Sequence, residues 1–195
     1  IADDVGLGKT ITAGLIAAEL IQRGRAESIL IVCPKPIAEQ WQEELASKFG
    51  IHAEVAFGGE FNSQRMKERP HWITTYATAR NSIDAIRRQE FDLLILDEAH
   101  ALRHLYGQNR APKVAEAFAS LMKKEGARFV LMLTATPIQN RLWDLYSLVD
   151  ILKSPQPNPF GSPDRFKQEF IGDRDARQLR PGTEREFRRL VGEVT

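Results

Sequence analysis

An α/β fold, with a mostly parallel sheet and helices on both faces, is predicted by three features of the 195-residue chain. Short, nearly continuous apolar runs alternate with helical patterns. Two of those runs end abruptly in acidic or hydroxyl-bearing residues. A glycine-rich turn closing on Gly8-Lys9-Thr10 opens directly onto a helical pattern. Alternation of this kind needs crossover connections, which lay helices against a parallel sheet.

Taken in order, Ile11, Leu15, Ile16, Ala18 and Leu20 repeat at helical spacing after that turn. Ser28 to Cys33 reads as a buried strand closed by Pro34-Lys35-Pro36. A helix follows through Trp41, Leu45 and Phe49 and ends at Gly50, and residues 52–57 alternate as a strand turned by Gly58-Gly59. Residues 60–70 are polar, a loop or short helix. Trp72 to Tyr76 has β-branched and aromatic strand character. Phe91 to Leu96 is an apolar run of the kind that forms a buried parallel strand. Residues 101–111 read as a surface loop, 114–121 as a helix, 128–133 as another buried strand and 142–152 as a helix. Beyond Asp150 the composition shifts: four prolines fall between Ser154 and Pro163, and Phe166 and Phe170 anchor a short helix. Residues 161–195 carry eight basic and seven acidic side chains, a balance typical of a solvated helical face.

Three of these junctions carry chemistry. A turn that exposes backbone N–H groups at a helix N-terminus cradles anions, because the unpaired amides and the helix dipole both favour negative charge. Lys9 can then reach the outer phosphates of a nucleotide, and Thr10 can place its hydroxyl on Mg²⁺. The full phosphate-loop pattern has a glycine where this chain has Asp3. The second junction is Asp97-Glu98-Ala99-His100, at the carboxyl end of a strand, where open α/β sheets bind ligands. Asp97 is placed to hold Mg²⁺ and Glu98 to polarise a water that attacks the γ-phosphate. Acids after a strand also serve as plain turn or cap residues, a reading that the phosphate loop upstream disfavours. The third junction is Leu133-Thr134-Ala135-Thr136-Pro137-Ile138-Gln139-Asn140. Thr134 and Thr136 can reach the acidic pair; alternatively Thr136 caps the helix that follows.

Composition bounds the class. At 43% hydrophobic and 27% charged the chain is an ordinary globular domain, and its net charge of +1 says nothing about nucleic acid. Cys33 is the only cysteine, which excludes an internal disulfide and favours a reducing compartment. No apolar run has the length of a membrane span, and no signal peptide is visible. The chain opens at Ile1-Ala2, at the mouth of the phosphate loop, and closes within a helical pattern. Both boundaries read as cuts in a longer protein.

The run Asp3-Asp4-Val5-Gly6-Leu7-Gly8-Lys9-Thr10, with Asp97-Glu98-Ala99-His100 and Thr134-Ala135-Thr136-Pro137-Ile138-Gln139-Asn140, resembles the first RecA-like lobe of a superfamily 2 helicase-like ATPase of the Snf2 (SWI2/SNF2) group. The run from Val5 to Gly14 is most similar to the bacterial, RNA-polymerase-associated HepA-type branch. The likeness spans essentially the whole chain. Two departures are small: Asp4 stands where the family usually has Glu, and Thr-Ala-Thr where it more often has Thr-Gly-Thr.

The resemblance implies an ATP- and Mg²⁺-dependent translocase on double-stranded DNA, cytoplasmic and nucleoid-associated, with no membrane partner. Asp4, Gly6, Leu7, Gly8, Lys9 and Thr10 would bind nucleotide, Thr10 and Asp97 the metal. Glu98, Lys9 and Asp97 would carry catalysis, while Thr134, Thr136 and Gln139 couple nucleotide state to lobe closure. Residues 1–152 would form the ATP-binding lobe, and 153–195 a proline-rich connection and helical extension toward a second lobe. That second lobe would supply an arginine finger, whose absence costs on the order of a thousandfold or more, so the segment alone is expected to be inactive. DNA-backbone contacts are implied at Lys35 and Thr75. Read locally, Lys35 is a solvated lysine, and Trp41 and Tyr76 are core aromatics on a helix and a strand. A DNA-bound complex such as RNA polymerase is an implied partner. A strand-separating helicase of the same superfamily and a non-hydrolysing nucleotide-gated scaffold stay open as alternatives.

Overall fold

The computed structural model describes residues 1, 8–107, 110–124, 126–136, 138 and 141–194. Its strands are β1 (Ile29–Val32), β2 (Glu54–Val55), β3 (His71–Thr74), β4 (Leu93–Leu96) and β5 (Phe129–Met132). Its helices are α1 (Lys9–Gln22), α2 (Ala38–Phe49), α3 (Ser63–Met66), α4 (Tyr76–Asn81), α5 (Ile83–Gln89), α6 (Lys113–Met122), α7 (Leu142–Lys153), α8 (Pro163–Phe170) and α9 (Glu184–Gly192). The strands form one sheet in the order β2-β3-β1-β4-β5, every pairing parallel. The predicted fold class is therefore the observed one.

Strand periodicity builds two cores. Successive side chains point to opposite faces, so Leu30, Val32, Leu94 and Leu96 enter one core while Ile29, Ile31, Leu93 and Ile95 enter the other. All eight are buried, which is why these strands read as unbroken apolar runs. The first core is closed by Ala79 of α4, Ile86 of α5, Phe118 and Leu121 of α6, and Leu148 and Ile151 of α7. The second is closed by α1 and α2. On α1 it is the small residues Ala13, Gly14 and Ala17 that are buried. A Cβ at Gly14 would collide with the Phe49 ring of α2, so the two helices approach closely there. The larger aliphatics that mark the helix in the sequence lie outward, with Leu15 62% exposed.

Helix ends follow their local chemistry. Gly50 adopts the left-handed conformation and closes α2, with its N–H on Ala46 O. Thr75 caps α4 by accepting from the Thr78 N–H, and Ser162 caps α8 with Pro163 in the first turn. The residue before α7 is Arg141, so Thr136 is not its cap. Two strand assignments contract: residues 52–57 supply only the two-residue β2, and Trp72–Tyr76 ends at Thr74 because Thr75 turns the chain into α4.

A third core joins α7, α8 and α9. Leu142, Leu145, Tyr146 and Val149 meet Phe160, Phe166, Phe170, Phe187 and Leu190, and most of the ring pairs stand edge to face or tilted. Because α7 gives its other side to the sheet, this aromatic layer is fastened to the sheet by one shared helix. Phe166→Ala should cost about 3–5 kcal/mol of local stability and speed amide exchange in α8 and α9 while leaving β1 and β4 protected, as hydrogen-exchange mass spectrometry would read. Cys33, at the exit of β1, is fully buried, and burial followed by the nearby Asp97 charge pushes its thiol up to about 12. At pH 8 its reaction with a disulfide reagent should be about a thousandfold or more slower than that of an exposed cysteine, and unfolding should abolish the difference.

Candidate nucleotide site and nucleic-acid face

The site forms where β1 and β4 end side by side. The connection after β1 runs to α2 on one face, and the connection after β4 runs toward α6 on the other. Adjacent parallel strands whose connections diverge leave a crevice beyond their carboxyl ends, and this is where open α/β sheets bind ligands. Asp97 occupies it. Its N–H donates to Val32 O at 2.8 Å, continuing the ladder one residue past β4.

Asp97 is 5% exposed, and each of its carboxylate oxygens accepts one hydrogen bond. Oδ2 accepts the Trp41 indole N–H at 2.8 Å, and Oδ1 accepts the Glu98 backbone N–H at 2.8 Å. Burial pushes its pKa up; those two hydrogen bonds pull it down, the Glu98 charge raises it and the Lys9 charge lowers it. The Lys9 charge thus acts on the strand-end acid, although the two residues lie 88 positions apart along the chain. Tyr76 donates its hydroxyl to the Asp97 carbonyl at 2.8 Å, and burial and then the Asp97 charge hold that phenol well above its ordinary range.

Glu98 is half-buried and sits at φ 50, ψ 47, a left-handed conformation that is uncommon for a residue with a Cβ. Such strain at the end of a strand re-aims a side chain and persists only where its surroundings enforce it. Here the enforcement is visible: Ala99 N–H donates to Leu133 O at 2.9 Å, tying the acidic turn to the residue before Thr134. His100 Nδ1 lies 2.9 Å from Glu98 Oε2 and holds that carboxylate.

At the mouth of α1, Gly8 is the N-terminal flanking residue, left-handed at φ 80 and without a side chain of its own to cap the first turn. Lys9 and Thr10 are the first two helical residues. The first-turn N–H groups of α1 thus face the position a phosphate would take. Thr134 is 5% exposed; its N–H donates to Ile1 O and its hydroxyl accepts from Thr136 N–H at 3.3 Å. Asp4, Gly6, Leu7 and Gln139 lie outside the described residues. Among the described residues no group of three or more His, Cys, Asp or Glu could hold a metal by itself. The Asp97 carboxylate is the kind of hard oxygen donor that Mg²⁺ takes, since that ion uses one or two protein oxygens and completes its shell from phosphates and water.

On the expected nucleic-acid face, Lys35 is exposed in a one-turn 3-10 helix (Lys35–Ile37), its ammonium 5.2 Å from the Phe57 ring centroid. Thr75 is half-buried and is engaged as the α4 cap, its hydroxyl 3.1 Å from that of Thr78. Trp41 is a core residue, as its helical spacing indicates, but its polar edge belongs to the site. No spacing rule could have revealed that, because the contact crosses 56 residues. Tyr76 likewise opens a helix rather than lying on a strand. A cavity of about 660 Å³ lies at the opposite end of the sheet, around Asp92, Arg128 and Ser154. No helix among the described residues is long and apolar enough to cross a membrane.

Relatives and solved structures agree with this geometry. The "Uncharacterized ATP-dependent helicase YqhH" of Bacillus subtilis is 38% identical over 172 residues, covering 87% of this chain and 28% of that protein. The "RNA polymerase-associated protein RapA" of Vibrio cholerae is 38% identical over 150 residues, covering 71% of this chain and 15% of that protein. The Sulfolobus solfataricus SWI2/SNF2 ATPase core in complex with dsDNA superposes with a TM-score of 0.73 at 26% identity, covering 99% of this chain and 38% of that one. The chain therefore spans under a third of the length of these two curated relatives. The family profile of the SNF2-related domain matches residues 1–192, and the chain belongs to that family of helicase-like ATPases.

Proposed function

We propose that this chain is the first, ATP-binding motor lobe of a double-stranded DNA translocase, acting with a second lobe in the same polypeptide. The observation that carries this reading is the buried Asp97 at the carboxyl end of β4, beside the end of β1 and under the influence of the Lys9 charge that opens α1 after the left-handed Gly8. In it, Gly8 shapes the phosphate cradle together with Asp4, Gly6 and Leu7. Lys9 binds the outer phosphates, and Thr10 and Asp97 hold Mg²⁺. The metal, when bound, neutralises charge on the transferred phosphoryl group. Glu98, held by His100, orients and polarises the attacking water. Thr134, Thr136 and Gln139 relay nucleotide state to closure of the two lobes. This division of labour is supported by the tie between Ala99 and Leu133, which makes the acidic turn and the Thr134 segment move together.

Duplex DNA as the track is supported by the DNA-bound Sulfolobus solfataricus core, and a bacterial, transcription-linked setting by the RapA relatives. Lys35 and Thr75 would meet the phosphate backbone, which carries no sequence information. Hydrolysis without the second lobe, and so without its arginine finger, should be negligible. A strand-separating motor is the second reading, favoured by the name that the Bacillus subtilis relative carries; displacement of a labelled strand from a partial duplex distinguishes the two.

In the full-length protein, duplex DNA should stimulate ATP hydrolysis more than single strands or RNA do. Glu98→Gln should lower kcat by about 10²–10⁴-fold with nucleotide binding retained, whereas Lys9→Ala should also weaken nucleotide binding. Unchanged steady-state hydrolysis in both variants would sink the site assignment. Duplex affinity should fall log-linearly with salt, and Lys35→Ala should lower that slope by about 1 without altering preference between sequences, which filter binding across a salt series would read.

A further inference from the structure

Two aromatic side chains with polar tips reach Asp97 from opposite faces of the sheet. Trp41, in the core closed by α1 and α2, donates to the carboxylate; Tyr76, packed against the other core, donates to the carbonyl of the same residue. Packing alone does not require either donor, since a phenyl ring would satisfy an apolar core without a polar atom to bury. Each aromatic also sits close in sequence to one of the two segments assigned to the DNA backbone. The 3-10 turn Lys35–Ile37 runs directly into α2, which begins at Ala38 and carries Trp41 in its first turn. Thr75, the cap of α4, is the neighbour of Tyr76.

We propose that Trp41 and Tyr76 are positioning residues that clamp Asp97 from both faces and transmit duplex contact at the Lys35 turn and Thr75 to the carboxylate that holds the metal. The inference deepens the proposed function and rests on it. The mechanism is geometric. Ala38, Trp41 and Leu45 are buried on one face of α2, so a shift of the leading turn moves Trp41 with it as one rigid piece. An N–H···O bond at 2.8 Å weakens steeply with misalignment, so a small pivot changes how firmly Oδ2 is held. Partners that orient a ligating carboxylate typically set metal affinity by about 10–100-fold. Reciprocity then requires that duplex tighten metal binding by the same factor by which metal tightens duplex binding.

The test is Mn²⁺ affinity of the full-length protein in the presence of ADP, followed by electron paramagnetic resonance with and without a blunt DNA duplex. Unaltered protein should bind Mn²⁺ about tenfold more tightly with duplex present. Trp41→Phe and Tyr76→Phe should each reduce that gain, and the double variant should bring it to within about twofold of none. Replacing Trp41 by β-(3-benzothienyl)alanine, which keeps the bicyclic shape and exchanges N–H for sulfur, should act as Trp41→Phe does, and it decides the matter if the phenylalanine variant folds poorly. A purely packing role predicts that this isostere keeps the full duplex-linked gain, and that result would overturn the clamp. If unaltered protein hydrolyses ATP without regard to duplex, the translocase reading fails on its own. The isostere still judges the clamp in that case: Mn²⁺ binding without DNA should weaken at least severalfold, and unchanged binding would overturn it.

Discussion

The pairing of β1 with β4 sets everything at the crevice. Its register runs Ile29 to Leu93 through Val32 to Leu96, and it is pinned at both ends. At the entry, Asp92 Oδ2 accepts from the Glu27 and Ser28 N–H groups and the Ser28 hydroxyl, while Asp92 N–H donates back to Ser28 Oγ. At the exit, Asp97 N–H donates to Val32 O. A slip of one residue would exchange the two core faces of β4 and turn the Asp97 carboxylate away from Trp41. Since both faces are apolar, hydrophobic burial alone would resist such a slip less than it does in a one-sided sheet. The polar pins at the two ends therefore carry an unusual share of the specificity.

Much of this was legible in the sequence, because each motif sits at a boundary between two kinds of periodicity. Continuous apolar runs announce strands buried on both faces, and the acids or threonines that end them announce the ligand edge. Gly50 closes its helix as its chemistry requires. What was hidden was decided by one local side-chain bond and by three-dimensional neighbours. Thr75 and Tyr76 have strand-like composition, yet the Thr75 side chain bonds the Thr78 N–H, and this local bond starts a helix. The direction of α1 was equally illegible: its bulky aliphatics suggest the buried stripe, but close approach to Phe49 selects the small residues.

Residue identity in the crevice is hard to explain by stability. Burying the Asp97 carboxylate is costly, and its hydrogen bonds with Trp41 and Glu98 offset the cost only in part, as the upward displacement of its pKa indicates. An apolar residue at the end of β4 would avoid the cost altogether. Glu98 adds backbone strain of order 1–3 kcal/mol on the next residue. Two consecutive residues that each oppose folding, at the ligand edge of the sheet, are most simply explained by what they bind.

The distribution of donors around Asp97 carries that argument one step further. If the acid served only to bind metal, hydrogen bonds from its own turn would be enough to orient it, and the Glu98 N–H already supplies one. Instead the remaining donors come from α2 and α4, elements on opposite faces that share no core cluster. An acid tied to one turn is rigid; an acid tied to two independently packed helices reports their relative position. For the duplex-responsive motor proposed above, the second arrangement is the useful one. It also accounts for aromatic residues at 41 and 76, since only a long, stiff side chain with a polar tip can cross a packed core and still reach the crevice.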